Sequence, residues 1–281
     1  MGLLYINNNG TILKNKGSVL SAANRGHLYG DGLFESIRMI NGKVINLEAH
    51  ILRMFDGAIA LKMELPEDYS VEFFEDKVNE LLKLSILKKD ARIRISLDRS
   101  TGGTYMPTSN LATFFIEVYP LEESGFELNE EGWEVDLYTE MRKHKNKLSG
   151  FKTKNGLIYV MASLAAQEKG MDDLLVTNTR GGILEGSSSN LFLVSNGVLY
   201  TSGIDEGCVG GVMRMAIINL ALENNIKVYE CSILPQNILA ADEVFLTNAV
   251  KGITWVKKYR NKMYTNEFTK QLLNSINEKY L

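Results

Sequence analysis

Residues 172–201 read DDLLVTNTRGGILEGSSSNLFLVSNGVLYT. Two apolar, strand-like runs flank Arg180-Gly181-Gly182, and a second break falls at Asn196-Gly197, a dipeptide that tolerates the positive φ of a two-residue hairpin turn. The stretch therefore predicts antiparallel strands joined by tight turns. Within it, Glu185 ends an apolar run and enters a turn of one glycine and three serines. An ordinary turn would account for the Gly-Ser run, but a carboxylate drawn into a buried turn needs a partner, because an unpaired buried charge is costly.

Outward from this stretch the chain reads as α+β. A helix is expected over residues 155–169, with Leu157, Ile158, Met161, Leu164 and Ala165 turned inward. Ahead of it, SGFKTKNG places Lys152 between Phe151 and Thr153, where a lysine on its own is most often solvated. A Gly-rich turn at 207–211 leads into a helix through Met215, Ile218 and Ala221, and the last helix carries Phe268, Leu272, Leu273 and Ile276. In the N-terminal part, residues 2–6, 43–47, 92–98 and 113–119 read as strands. Two helical stripes lie between them, Ile51-Met54-Phe55-Ala58 and Val71-Phe74-Val78-Leu81-Leu82. The glutamate-rich residues 120–131 are the most linker-like. Two domains are expected to meet near residue 120: a small α/β domain over 1–119 and a larger one over 127–281 that carries Lys152, with the chemistry in the cleft between them.

With 281 residues, 45% hydrophobic and 23% charged, the chain has the composition of a soluble globular protein, and its formal charge of −3 argues against a nucleic-acid-coating surface. No run approaches the 18 or so apolar residues that span a bilayer. The opening MGLLYINNNG has no basic n-region, and position 6 is Ile6, so neither a signal peptide nor myristoylation is expected. Two cysteines, Cys208 and Cys231, and no secretion signal point to a reducing cytoplasm. The histidines His27, His50 and His144 lie far apart and read as structural or solvated; no metal site is expected.

Two further features carry chemistry. Gly210-Gly211-Val212-Met213 begins a helix whose free N–H groups suit a phosphate, although a plain helix start reads the same. Arg53 lies about 200° around its helix from Ile51, away from the apolar stripe, on a solvated face or in a cleft.

Taken in order, RGHLYGDGLFESIR (25–38), AHILRM (49–54), FKTKN (151–155), LEGSSSNLF (184–192), YTSGIDEGCVGGVMR (200–214) and FLTNA (245–249) resemble the class IV aminotransferase family. These are the fold type IV pyridoxal-phosphate enzymes: branched-chain aminotransferases, D-amino acid aminotransferases and aminodeoxychorismate lyases. The resemblance covers nearly the whole chain, and LEGSSSN, about thirty residues after the lysine, is its most specific part. It implies a two-domain fold with pyridoxal 5′-phosphate in the interdomain cleft, a homodimer, and a small-molecule amino substrate, with no nucleic acid or membrane partner. Lys152 would form the Schiff base and act as the proton-transfer base, and Glu185 would pair with the pyridine nitrogen, which keeps the ring an electron sink. Arg53, the backbone of Val212 and Met213, and hydroxyls among Ser187, Ser188 and Ser189 would hold phosphate and ring, with Asn190 and Asn248 beside them. Which serine makes contact stays open. Tyr29, Phe34, Arg94 and Tyr105 would meet the substrate.

Within that family, three features lean toward the lyase. Met213 stands where aminotransferases usually have Thr, Asn248 stands in an Asn-Ala pair, and RSTGGTYMP (99–107) resembles the lyase loop that reaches the partner's site. Thr104 in place of a second arginine, Lys251-Gly252 after Asn-Ala, and Tyr29, Phe34 and Arg38 at positions typical of branched-chain enzymes lean back. Alternation puts Arg92 and Arg94 on one strand face and Ile93, Ile95 and Leu97 on the other, with either face open to solvent. The basic run 142–147 reads as a solvated loop that could also draw in a dianion. The aminotransferases are the alternative reading, and a silent binding protein the remote one; retention of both Lys152 and Glu185 speaks against the latter.

Overall fold

A computed structural model describes residues 5–14, 19–85, 90–122 and 125–280. The chain forms two compact units, Met1–Gly125 with Phe151–Asn155, and Phe126–Gly150 with Gly156–Leu281.

The elements of the first unit run β1 (Tyr5–Asn8), β2 (Thr11–Lys14), α1 (Arg25–Tyr29), β3 (Gly32–Ile40), β4 (Lys43–Val44), α2 (Leu47–Ala60), α3 (Val71–Leu84), β5 (Ala91–Arg99) and β6 (Ala112–Pro120). Their strands pair antiparallel throughout, in the order β2-β1-β6-β5-β3-β4. The long strands alternate, so Leu33, Ile37, Ile93, Ile95, Leu97, Phe114 and Ile116 all point to one face. Ile51, Met54 and Ala58 of α2 and Phe74, Val78 and Leu81 of α3 complete the buried cluster on that face. Both apolar stripes thus form as the spacing predicts. Ser70 caps α3 by accepting a hydrogen bond from the Phe73 N–H at 3.1 Å. The strand expected over 43–47 is shorter. It ends at Val44, because Asn46 turns into the left-handed region at φ 53° and Leu47 begins α2.

One carboxylate interrupts the apolar face of β3. Glu35 is 2% exposed, yet it alternates with Leu33 and Ile37 toward α2. There His50 Nδ1 lies 2.7 Å from it and Arg53 Nε donates to it at 2.9 Å, with Arg53 Nη2 on the second oxygen. His50 and Arg53 are three residues apart and so share one helix face. Burial pushes the Glu35 carboxyl upward, but the Arg53 charge and the His50 bond outweigh it and hold the group below its ordinary range. Burial keeps the His50 pKa low, so the Glu35–Arg53 pair is the charged element.

The second unit contains β7 (Trp133–Leu137), α4 (Leu157–Glu168), β8 (Asp173–Thr177), β9 (Ile183–Glu185), β10 (Asn190–Ser195), β11 (Val198–Ser202), α5 (Val212–Glu223), β12 (Val228–Cys231), α6 (Pro235–Ala240), β13 (Glu243–Asn248), β14 (Gly252–Tyr259), β15 (Lys262–Met263) and α7 (Glu267–Tyr280). The strands follow the order β12-β11-β10-β13-β14-β7-β8-β9, with β15 on β14. β9 also pairs with β10, so the path from β10 through β13, β14, β7 and β8 returns to its start. Leu175, Ile183, Leu191, Leu193, Val244, Leu246 and Val256 fill the core these strands share. Asn196 and Gly197 take φ of 51° and 73°, the conformation of the hairpin turn expected between β10 and β11.

The inward face expected of α4 changes. In α4, Leu157 is 73% exposed, and Met161 and Leu164 are exposed as well; Ala162, Ala165 and Ala166 face β8 instead. The helix is apolar on every side, so periodicity could not choose a face. Small side chains let the helix approach the strand closely. Met215 of α5 is also exposed, while Ile218 and Ala221 are buried. The linker-like stretch is tied down, since Phe126 is buried and its backbone exchanges hydrogen bonds with the Asn277 side chain of α7. Residues 2–4, 123 and 124 of the sequence expectations lie outside the described residues.

The Glu35 cluster gives a test. Glu35→Gln removes the carboxylate charge that Arg53 and His50 meet, and the expected loss of stability at neutral pH is about 3 kcal/mol. Because the folded carboxyl titrates below the unfolded one, its contribution is full above the unfolded pKa and is lost as pH falls through the folded pKa. Urea unfolding should therefore show the gap between wild type and variant narrowing as pH falls from neutrality to below the ordinary carboxylate range. A gap that does not change with pH would contradict the pairing.

Candidate active site

Lys152 was expected in the larger domain, but Phe151–Asn155 groups with the first unit. The reason is backbone pairing. Phe34 N–H donates to the Lys152 carbonyl at 3.0 Å, Lys154 N–H donates to the Gly32 carbonyl at 2.9 Å, and Thr153 bridges Leu33 antiparallel. Side chains reinforce the seam. Lys154 Nζ lies 2.5 Å from Asp98 Oδ1, and Asn155 Nδ2 donates to the Gly30 carbonyl. Gly32 must be glycine, since a Cβ there would fall 2.1 Å from Asp98 Oδ1.

This seam puts the Lys152 ammonium 4.6 Å from the ring centroid of Phe34. Arg94 reaches the same ring, with its guanidinium carbon at 4.1 Å. Phe34 and Arg94 lie on the face of the sheet opposite α2 and α3, because Leu33, Ile93 and Ile95 face the helices. The choice between strand faces is thereby made: Arg92 and Arg94 share the face that carries Lys152. Burial depresses the Arg94 pKa, and Glu117, at 3.8 Å, only partly offsets it. Tyr29 packs against Tyr105 at 5.5 Å, and Arg25 holds the loop of Tyr105 by donating to the carbonyls of Gly102 and Thr104. Tyr105 itself is 90% exposed. Arg38 is closed off from any ligand by its 2.8 Å pair with Asp90. Arg53 is not solvated, being engaged with Glu35 as described.

In the second unit Glu185 is 3% exposed and fully satisfied. Lys143 Nζ and the Tyr159 hydroxyl donate to Oε1, each at 2.8 Å; Val209 N–H donates to Oε2 at 2.8 Å, and Asn190 Nδ2 lies at 3.5 Å. The partner that a buried carboxylate requires is therefore Lys143, from the basic run that the sequence suggested was solvated. Its neighbours Arg142, His144 and Lys145 are exposed, but backbone pairing of Lys143 with Asn178 turns this one side chain inward. Tyr159 was also missed, although a lone phenol among the aliphatic residues of α4 was a usable sign. Burial and the adjacent carboxylate push its hydroxyl far above the ordinary range, so it stays a donor. Burial likewise raises the Cys208 thiol to about 11.

The serine turn is pinned at both ends. Ser187 N–H donates to the buried Asp173 carboxylate, and Asn248 Nδ2 donates to Ser189 Oγ at 3.1 Å. Asn248 Oδ1 accepts from the N–H groups of Val250 and Lys251, so its side chain is held from both sides. Ser188 is exposed and Ser189 buried. Asn190 Nδ2 also donates to the Val209 carbonyl at 2.8 Å, and a Cβ on Gly211 would fall 1.9 Å from Asn190 Oδ1. Gly211 caps α5 without any side-chain acceptor, which leaves the N–H groups of Val212 and Met213 without an intrahelical partner. The Met213 side chain is buried, so only its backbone is available to a ligand. A separate cavity of about 360 Å³ in this unit, lined by Glu131, Trp133, Glu134, Asp172 and Lys257 among others, holds none of these groups.

The first unit thus presents a lysine and an arginine on the Phe34 ring, and the second a buried carboxylate and an uncapped helix start next to Asn190. A model of the family described as amino-transferase class IV matches residues 32–259. The chain is 30% identical over 275 residues (97% of this chain, 93% of the relative) to a Methanocaldococcus jannaschii protein provisionally named a branched-chain-amino-acid aminotransferase. It is 28% identical over an aligned 297 residues (99% and 97%) to an aminodeoxychorismate lyase of Bacillus subtilis (strain 168). Among solved structures, a branched-chain aminotransferase from the thermophilic archaeon Thermoproteus uzoniensis, with norvaline, matches with a TM-score of 0.90 at 25% identity, covering 100% of this chain and 98% of the other. With the family model spanning most of its length, the chain belongs to the class IV aminotransferases, enzymes of fold type IV.

Proposed function

We propose that this pyridoxal-phosphate enzyme is a 4-amino-4-deoxychorismate lyase, releasing pyruvate and forming 4-aminobenzoate. The observation that carries the reading is the pair of cations that brackets Phe34: the Lys152 amine and, on the same ring, the incompletely compensated Arg94. This arrangement suits a substrate with an amine and an acid group on one small frame. The three lyase features of the sequence add to it, and the built-in contact of Asn248 with Ser189 gives the Asn-Ala pair a structural role.

Pyridoxal phosphate, when bound, supplies a carbonyl that joins amines and a conjugated ring that accepts an electron pair. Lys152 would hold it through its side-chain amine and would take the proton from the amine-bearing carbon of the substrate. Glu185 would accept from the ring nitrogen and so favour its protonated state. Its Oε1 keeps the bonds from Lys143 and Tyr159 while it does so. Val212 and Met213 offer backbone N–H groups to the phosphate, Arg53 adds charge, and the hydroxyls of Ser188 and Ser189 border it. In the elimination, the electron pair left by the proton expels the enol-pyruvyl oxygen, the released enolate gains a proton to become pyruvate, and the ring becomes aromatic. Tyr29 and Tyr105 flank the substrate, and the exposed Tyr105 loop is read as reaching a second copy, so that the enzyme works as a homodimer in the cytoplasm, in folate biosynthesis.

Transamination of a branched-chain or D-amino acid is the second reading, favoured by the name of the M. jannaschii relative and by the matching Tyr29 and Phe34. Incubation with aminodeoxychorismate, beside a panel of amino acids with 2-oxoglutarate, decides between them. The expected product is 4-aminobenzoate; rapid transamination with none formed would overturn the lyase reading.

Lys152→Ala should lose all turnover and every borohydride-reducible link to the cofactor, and a link that survives would refute the assignment of the lysine. Asn248→Ala, which frees Ser189, should slow elimination by about ten- to a hundredfold, the effect of one lost donor contact.

A further inference from the structure

We propose that Arg92 is a specificity-determining residue that binds a second carboxylate, so that the enzyme takes amino dicarboxylates in preference to amino monocarboxylates. The inference deepens the reading of Arg94 as the anion-binding group beside Lys152 and rests on it.

The argument begins with alternation along β5. Arg92 and Arg94 are separated by one residue, so both guanidinium groups rise from the same face, about 7 Å apart at their Cα atoms. Cross-strand partners then fix their surroundings. Arg94 stands between Ser36 and Glu117, and Arg92 between Arg38 and Tyr119. Arg92 lies on the Tyr119 ring with its guanidinium carbon 4.5 Å from the centroid. The Tyr119 hydroxyl donates to Glu117 at 3.1 Å, so ring and carboxylate are held together as one wall.

Counting the charges on this face shows what is missing. Arg38 is fully matched by Asp90 at 2.8 Å. Arg94 has a loose partner in Glu117, at 3.8 Å. Among the described residues, no carboxylate lies within ion-pair distance of Arg92. The Arg92 charge disfavours the charge of Arg94, and Glu117 pairs only with Arg94. Like charges placed side by side on a sheet, half-buried and short of counter-charge, are unfavourable unless an anion completes them. An inorganic anion would satisfy either arginine alone. Two planar forks on one strand face, one of them sharing the Phe34 ring with Lys152, fit a molecule with an amine and two carboxylates. Stacking on Tyr119 keeps Arg92 from wandering, so little freedom remains to be lost when the second carboxylate binds.

The test uses the cofactor-loaded enzyme, with Arg92→Met and Arg92→Lys beside the wild type. Calorimetry compares glutarate with butyrate, a dicarboxylate and a monocarboxylate of similar length that carry no reactive amine. Steady-state rates compare aminodeoxychorismate or glutamate, whichever the enzyme turns over, with a neutral amino acid. Arg92→Met should weaken glutarate about tenfold or more and raise KM for the acidic substrate with kcat nearly unchanged, the pattern of lost uniform binding. Butyrate binding and the KM for a neutral amino acid should stay within about twofold, and Arg92→Lys should recover part of the loss. Equal binding of glutarate by wild type and Arg92→Met, or an equal loss for both acids, would overturn the proposal. Transamination of glutamate without any 4-aminobenzoate would overturn the lyase reading, while the glutarate comparison would still decide the role of Arg92.

Discussion

The hydrogen bonds from Phe34 N–H to the Lys152 carbonyl and from Lys154 N–H to the Gly32 carbonyl hold Lys152 to the edge of a strand rather than on a free loop. A pair of backbone bonds fixes register, and register fixes which side chains share a face. Once Thr153 is bridged to Leu33, the side chain at 152 has to rise beside Phe34 and, through it, beside Arg94. The Lys154–Asp98 pair secures the seam from within, where Asp98 is fully buried and also accepts from Asn24. A lysine placed in this way is fixed in its backbone while its four-carbon side chain keeps its reach.

Buried charge is treated in two ways within the chain. Glu35, Asp98 and Glu185 are each enclosed, and each has a cation at hand: Arg53, Lys154 and Lys143. These carboxylates are costly to remove from water; Glu35 and Glu185 accept hydrogen bonds on both oxygens, while Asp98 accepts from Asn24 on one and has Lys154 beside the other. The open face of the first sheet differs, since Arg94 and Arg92 lack a close counter-ion of their own. Glu185 accepts from four donors, the longest contact being that from Asn190 at 3.5 Å.

Much of this was legible in the residues alone. Apolar spacing located α2 and α3, the dipeptide Asn196-Gly197 located the turn between β10 and β11, and LEGSSSN with the preceding FKTKN pointed to the family. These are local or nearest-neighbour signals: a stripe every three to four residues, a turn that needs positive φ, and a short run whose order of residue types few functions share. Local sequence was weaker where a segment satisfied two readings at once. In α4 every face is apolar, so only the approach of alanines to β8 decided what was buried.

Residue types and their order thus determined the elements, the turns and the family, and singled out Lys152 and Glu185 as candidates. Tertiary structure alone decided their partners. Nothing within the run 142–147 distinguishes Lys143 from its exposed neighbours; its pairing with Asn178, from a distant part of the chain, does. The assignment of Phe151–Asn155 to the first unit, the burial of Arg53 against Glu35, and the choice of the Arg92–Arg94 face likewise arise from contacts between residues far apart in sequence. Such contacts exist only once the strands are in register, and that is why composition and periodicity could not supply them.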